Sequence, residues 1–161
     1  MPRKKSQLQQ ELHQQRPFAS RAHELSIGLL RTAAVVRREM DRGLEGSGLS
    51  GAQYNVLRIL RGAGDDGLPT LEVRERLIDP APGVTRLVDK LAEAGLITRE
   101  RTTTDRRQVI CRLTAAGRAM LEKYNPLVHE AIERVGARLT PRQHHEAIEL
   151  LDALRRPGPA E

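Results

Sequence analysis

The sequence predicts a mainly α-helical fold with a small β-hairpin wing: a winged helix-turn-helix flanked by long N- and C-terminal helices. Two short helices are expected on either side of "DPAPG", two alternating strands follow them directly, and long amphipathic runs lie before and after. A helix-turn-helix followed by a hairpin is the order of elements in a winged helix. We therefore expect four segments: an N-terminal arm over 1–19, a dimerisation helix over 20–48, a winged helix-turn-helix over 49–114 and C-terminal dimerisation helices over 115–161.

The composition favours an anionic partner. The 161 residues carry a formal net charge of +6, which suits nucleic acid first and an acidic membrane surface second. A basic surface that serves only solubility is the plain alternative. Aromatic residues make up only 2% of the chain, too few for the stacking platforms that bind single-stranded nucleic acid. The sequence contains a single cysteine, no apolar run long enough for a membrane span and no apolar secretory signal, so we expect a cytoplasmic protein without a membrane partner.

The N-terminal third predicts a short helix and then a long one. The polar, glutamine-rich stretch in 1–19 is able to form a short helix before Pro17 stops it. A long helix is expected over 20–42 because apolar residues recur there at helical spacing. These residues are Leu25, Leu29, Ala33, Val36 and Met40.

The helix-turn-helix is predicted from its caps and its break. Ser50 and Gln53 form a capping box at the start of the helix that precedes it. Thr70 is expected to cap a short helix that runs to about Ile78, where the prolines of "DPAPG" interrupt it. A second helix is expected over 82–93, beginning with a proline in its first turn. Its core face is expected to consist of Val84, Leu87, Val88 and Leu91.

The exposed side of this second helix supplies the first candidate DNA contacts. Thr85, Arg86 and Lys90 are candidates for base edges and phosphates. A bidentate contact from Arg86 to guanine O6 and N7 would be worth about 1–3 kcal/mol of discrimination. The alternative is a solvated helix face on which Arg86 and Lys90 pair with Asp89 or Glu93.

The hairpin supplies the second set of candidates. Alternating strands are expected over 96–101 and 107–113, and the tip between them is rich in hydrogen-bond donors. If the second helix lies in the major groove, this tip lies over the minor groove, whose narrow form attracts arginine. The candidate contacts at the tip are Thr103, Thr104, Arg106 and Arg107, and Asp105 is expected to hold the wing in shape. An ordinary solvated hairpin is the alternative.

The C-terminal part predicts two more helices. Thr114 is expected to cap a long helix with a kink at Pro126, and Thr140, Pro141 and Gln143 form a strong start signal for the last one. The apolar face of the last helix is expected to consist of Ala147, Leu150, Leu151 and Leu154. One winged helix cannot bury all these apolar stripes, so the terminal helices are expected to pair with those of a second copy. Such a two-fold dimer would hold two recognition helices roughly 34 Å apart.

Three stretches resemble the MarR (multiple-antibiotic-resistance regulator) family: "LSGAQYNVLRIL", "GVTRLVDKLAEAGLITRE" and, above all, "TDRRQVICRLTAAG". The last is similar to the family's wing pattern, in which Asp105 matches the acid and Arg107 the minor-groove arginine. Leu113, Thr114 and Gly117 match the joint between strand and helix.

The resemblance covers about residues 20–155. It implies a homodimeric winged-helix repressor, in some members an activator, on a palindromic operator in double-stranded DNA. In many members a small phenolic or other anionic effector binds between the dimerisation and DNA-binding regions and releases DNA. The sequence departs from the family where "DPAPG" stands in place of the common Ser or Thr, and it lacks the N-terminal cysteine of peroxide-sensing members.

Other chemistries are disfavoured. Cys111 alternates with apolar residues and is expected to pack under the sheet instead of serving as a redox thiolate. His129, His144 and His145 raise the question of zinc, but adjacent histidines on a helix point about 100° apart, so no metal site is predicted. Nucleophile, H-E-x-x-H and P-loop motifs are missing, so neither an enzyme nor a cofactor is predicted. The rival class is a winged-helix protein–protein interaction module, although such a module has no need for paired arginines at the wing tip.

Overall fold

The structure is a computed structural model that describes residues 5–79, 83–101 and 108–157. These ranges contain seven α-helices and three β-strands in the order α1, α2, α3, β1, α4, α5, β2, β3, α6, α7. The helices are α1 Gln7–Glu11, α2 Arg21–Gly43, α3 Gly51–Ala63, α4 Thr70–Glu75, α5 Val84–Glu93, α6 Ala115–Gly136 and α7 Pro141–Arg155. The strands are β1 Leu68–Pro69, β2 Ile97–Arg101 and β3 Val109–Leu113.

The first of two compact units, Met1–Arg38, contains α1 and most of α2. Leu8 of α1 packs close to Gly28 of α2: a Cβ atom added to the glycine would lie 3.6 Å from Leu8 Cδ2. Glu11 and Arg31 add an ion pair at 3.8 Å. The short helix predicted in the arm is therefore present, and the long helix that follows it agrees with the predicted bounds to within one residue.

The second unit, Glu39–Glu161, has one hydrophobic core, to which α3, α4, α5, α6 and the sheet all contribute. Within the described ranges no polar or charged side chain is buried. The largest fully buried side chains are Val56, Leu57, Leu60, Val73, Val88, Leu91, Cys111, Leu121 and Val128. Burial of Cys111 confirms that it packs as a small hydrophobe.

The sheet has three antiparallel strands in the order β1-β3-β2, whereas only the hairpin of β2 and β3 was predicted. The register pairs Leu68 with Cys111, Pro69 with Ile110, Ile97 with Leu113 and Arg101 with Val109. The added strand β1 is two residues long and contains a proline, so it has no alternating pattern that would reveal it in the sequence.

The start of α3 agrees with the prediction. The Gln53 amide donates to Ser50 Oγ at 3.2 Å, and the Ser50 amide donates to Gln53 Oε1 at 2.9 Å. These two bonds complete the predicted capping box.

The prediction for α4 is wrong in two respects. Pro69, not Thr70, occupies the N-cap position, and no side chain caps this helix. The Thr70 hydroxyl donates instead to the carbonyl oxygen of Val109 at 3.2 Å, because it faces β3. The helix ends at Glu75 and not near Ile78, whose amide donates to Asn55 Oδ1 of α3 at 3.0 Å.

Helix α5 begins at Val84, two residues after the predicted start, and Pro82 lies outside the described residues. Val84, Val88 and Leu91 are buried as predicted, and Leu87 is partly buried against the same core. The predicted core face is therefore confirmed.

The C-terminal helices begin as predicted. Thr114 Oγ1 accepts from the amide of Gly117 at 3.1 Å and donates to the carbonyl oxygen of Gly95 at 2.8 Å. Helix α6 continues through Pro126 without interruption. A bend of the helix axis at this proline stays a prediction. Thr140 forms the predicted capping box with Gln143 at the start of α7. None of the described helices combines the length and the apolar character that a membrane span requires.

Candidate nucleic-acid interface

Helix α5 presents a polar side whose direction is set by the residues that it buries. Val84, Val88 and Leu91 face the core, so the helix cannot rotate without exposing them. Thr85, Arg86 and Lys90 are exposed on the remaining surface. The structure thus leaves these three predicted site residues accessible to a partner.

The two cations of α5 are available for contact. Among the described residues, no carboxylate pairs with Arg86 or Lys90, contrary to the alternative in which Asp89 or Glu93 neutralises them. Asp89 instead pairs with Arg99 of β2. A cationic side chain without an intramolecular carboxylate partner is free to bind a phosphate or a guanine edge.

A network of charged groups ties the hairpin to its surroundings. Arg112 of β3 donates to Glu100 of β2 at 2.8 Å and to the carbonyl oxygen of Asp65 at 3.2 Å. The carboxylate of Asp65 pairs in turn with Arg118 of α6. Sequence reasoning missed Arg99 and this network because the partners are ten or more residues apart, beyond any local spacing rule.

A groove of about 410 Å³ lies between α5, the start of α4 and the hairpin. Its lining residues are Pro69, Thr70, Leu71, Glu72, Thr85, Arg99, Gln108 and Val109. Thr85 is the predicted site residue that this groove includes, and Gln108 extends the polar surface to the first residue described after the hairpin tip.

The wing tip lies outside the described residues. The described part of the hairpin ends with the pairing of Arg101 and Val109. The roles assigned to Thr103, Thr104, Asp105, Arg106 and Arg107 therefore stay predictions.

A smaller pocket of about 210 Å³ lies between α3 and α6. Its lining residues are Tyr54, Arg58, Arg61, Asn125, Val128, His129 and Ile132. The Tyr54 hydroxyl donates to Asn125 Oδ1 at 2.7 Å, and the Arg58 guanidinium lies 5.9 Å from the centre of the Tyr54 ring. Burial raises the pKa of the Tyr54 phenol above its usual value, although the charges of Arg58 and Arg61 oppose this shift.

The histidines do not form a metal site with other ligands in the part of the chain that the structure describes. His129, His144 and His145 are exposed, and His144 Nε2 lies 2.9 Å from the carbonyl oxygen of Gly136. His129 and His145 each lie near a glutamate four residues further along the same helix. Surface pairs of this kind are common on solvated helices.

Comparison with known sequences shows that the chain is similar to transcriptional regulators of bacteria. The model of the MarR family matches residues 47–108, the range from just before α3 to the hairpin. The repressor Rv2887 of Mycobacterium tuberculosis is 31% identical over 126 residues, which cover 78% of this chain and 89% of Rv2887. The repressor YetL of Bacillus subtilis is also 31% identical, over 103 residues that cover 64% of this chain but only 62% of YetL.

Solved structures of the same class superpose on the chain. The MarR transcription factor from Planctomyces limnophilus has 34% sequence identity and a TM-score of 0.65, covering 85% of this chain and 99% of its own. Sco3205 from Streptomyces coelicolor, crystallised in complex with DNA, has a TM-score of 0.76 over 92% of this chain and 96% of its own. Its sequence identity is 22%, so this similarity concerns the fold.

Proposed function

Because the chain belongs to the MarR family of DNA-binding transcriptional regulators, we propose that it is a homodimeric repressor that binds a palindromic operator. The observation that carries this proposal is the polar side of α5, where Arg86 and Lys90 are exposed and Asp89 is neutralised by Arg99. Such a surface presents net positive charge on a helix of the right size for the major groove. The expected place of action is the cytoplasm, where bacterial DNA lies.

The two DNA-reading elements have separate tasks in this proposal. Helix α5 lies in the major groove, where Arg86 reads a guanine and Thr85 and Lys90 contact base edges or phosphates. The wing lies over the adjacent minor groove, where Arg107 inserts, with Arg106 and the threonine hydroxyls beside it. The major-groove contacts supply most of the base discrimination, because the minor groove distinguishes little beyond A·T from G·C.

The apolar surface of α7 supports a dimer. None of its residues is buried within the chain, and four large apolar side chains are exposed: Ile148, Leu150, Leu151 and Leu154. Exposed apolar residues so concentrated on one helix are typical of a protein interface. In the proposed dimer they are covered by the second copy, and the two α5 helices reach successive turns of DNA.

The pocket between α3 and α6 is the proposed effector site. Arg58 and Arg61 supply positive charge, Tyr54 and Asn125 supply polar groups, and Val128 and Ile132 supply an apolar wall. A small anionic or phenolic molecule matches this chemistry and the volume of about 210 Å³. Because α3 and α6 both pack on the core that holds α5, a ligand that separates them would alter the position of α5.

The test is a titration of the purified protein with duplex DNA from just upstream of its own gene, across salt and beside a scrambled duplex. The wild type is expected to prefer the upstream duplex and to show a steep salt dependence. Arg107→Ala is expected to weaken this binding and to lower the salt slope by about one unit. The matched control Arg138→Ala removes the same charge from the turn between α6 and α7 and should bind as the wild type does.

Equal and weak binding to both duplexes, unchanged by Arg107→Ala, would contradict the proposal for this operator. The protein–protein interaction module would then become the better account of the winged helix. Paired arginines at a wing tip favour DNA over that alternative.

A further inference from the structure

The starting observation is an acid on the surface that is proposed to face DNA. Asp89 lies one turn after Thr85 and three residues after Arg86 on α5, and its side chain is 42% exposed. A carboxylate in this position would repel the phosphates that Arg86 and Lys90 are expected to attract. The helix therefore needs a means of neutralising Asp89.

Arg99 provides this neutralisation from a different element. It lies in the middle of β2, and its guanidinium donates to Asp89 Oδ1. Its side chain is 32% exposed, less than that of Asp89, and Arg99 also lines the groove between α5 and the hairpin. The pair joins the helix proposed for the major groove to the hairpin proposed for the minor groove.

The opposite side of the hairpin is anchored as well. Arg112 of β3 holds Glu100 of β2 and the carbonyl oxygen of Asp65, in the turn that precedes β1. With one strand tied to α5 and the other to this turn, the hairpin is held from both sides. The position of the described base of the hairpin thus depends on ion pairs as well as on the core.

We propose that Arg99 is a positioning residue for DNA binding, which acts through Asp89 and makes no DNA contact of its own. It cancels the negative charge on the DNA-facing side of α5 and ties that helix to β2. This inference rests on the proposed function, since it concerns how the same surface meets DNA. The competing explanation is that Arg99 binds a phosphate directly, as an exposed arginine in this region could.

The two explanations differ in whether the effect of Arg99 requires Asp89. A double-mutant cycle with Arg99→Gln, Asp89→Asn and the combined variant measures this coupling in operator affinity. We expect Arg99→Gln to weaken binding about fivefold when Asp89 is present, and less than about twofold in the Asp89→Asn background. In the Asp89→Asn background, adding Arg99→Gln should leave the salt slope unchanged, because no carboxylate is uncovered and no phosphate contact is lost.

Arg101→Gln is the matched control. Arg101 lies two residues further along β2, on the same face of the strand, and no carboxylate among the described residues pairs with it. Any effect of Arg101→Gln on affinity should be the same in the wild-type background and in the Asp89→Asn background. Arg99→Lys keeps the charge and should bind within about twofold of the wild type, since Lys can still pair with Asp89. Chemical unfolding of each variant identifies any that fails to fold.

Each result decides between the explanations. If Arg99→Gln has the same effect in both backgrounds, or lowers the salt slope by about 0.9 in the Asp89→Asn background, Arg99 contacts DNA itself and the inference is overturned. No effect in either background would overturn it equally. If the wild type binds no duplex, the proposed function is refuted. If the wild type binds and the effects of Arg99→Gln and Asp89→Asn on affinity simply add, only the role of Arg99 is refuted.

Discussion

Tyr54 connects α3 to α6 through one hydrogen bond, from its hydroxyl to Asn125 Oδ1 at 2.7 Å. Its ring is buried, with 3% of the residue exposed, while its hydroxyl reaches the pocket proposed for an effector. Burial raises the pKa of the phenol, because the charged phenolate loses hydration. One residue therefore contributes to the core, to the joint between two helices and to the proposed pocket.

This raised pKa predicts how stability depends on pH. Above about pH 10, the usual pKa of tyrosine, the unfolded phenol ionises while the folded phenol keeps its proton. The folded state then binds more protons than the unfolded state, so the free energy of unfolding falls as pH rises. The stabilising contribution of Tyr54 is complete below that pH and is lost as pH rises through the folded pKa.

The measurement compares the wild type with Tyr54→Phe by chemical unfolding at a series of pH values. Near neutral pH the variant should be less stable by about 1 kcal/mol, because it lacks the hydrogen bond. This difference should shrink above about pH 10. A difference that stays constant through that range would contradict the assignment of the shift to Tyr54.

Helices and strands with local sequence signals were predicted correctly, whereas features that depend on distant partners were not. In the capping boxes of α3 and α7, the two partners are only three residues apart, and both boxes form as predicted. Thr70 carries a similar local signal, yet its hydroxyl bonds to Val109, 39 residues away. Strand β1 depends in the same way on a distant partner, β3. Local signals thus predicted the helices and the hairpin, whereas contacts between elements, including Asp89 with Arg99, required the structure.

The joint between the hairpin and α6 gives a prediction at this scale. A Cβ atom added to Gly117 would be 2.2 Å from the carbonyl oxygen of Leu96 and 2.7 Å from Leu113 Cδ1. Because the first of these atoms belongs to the backbone, Gly117→Ala must push α6 away from the sheet. We expect it to lower the free energy of unfolding by about 1–3 kcal/mol, measured by chemical denaturation.

The control for this substitution is Gly62→Ala in α3. A Cβ atom added there meets nothing within 4 Å, so the substitution should stabilise the helix by up to about 1 kcal/mol. Equal effects of the two alanines would show that the contact of Gly117 with Leu96 is not what requires a glycine.

At the scale of the whole molecule, the apolar surface of α7 predicts the state of assembly. Leu150 is 67% exposed in the single chain, so replacing it should not disturb the fold of one subunit. In the proposed dimer it is covered, and a buried carboxylate without a partner is costly. Leu150→Glu is therefore expected to yield monomers in analytical ultracentrifugation at concentrations where the wild type is a dimer.

His145→Glu provides the comparison for Leu150→Glu. It introduces a carboxylate on the same helix, about 140° around the axis from Leu150. This variant should remain dimeric. If both variants are dimers, another surface of the chain must form the interface.

The strand order has a consequence for how the protein behaves at high concentration. The central strand β3 has both edges occupied, so the free edges of the sheet belong to β1 and β2. Strand β1 is two residues long and ends in a proline, and four of the five residues of β2 are exposed, three of them charged. Short, proline-containing or charged edges resist the addition of a further strand. The hairpin proposed to contact DNA is thus protected at its base against edge-to-edge aggregation.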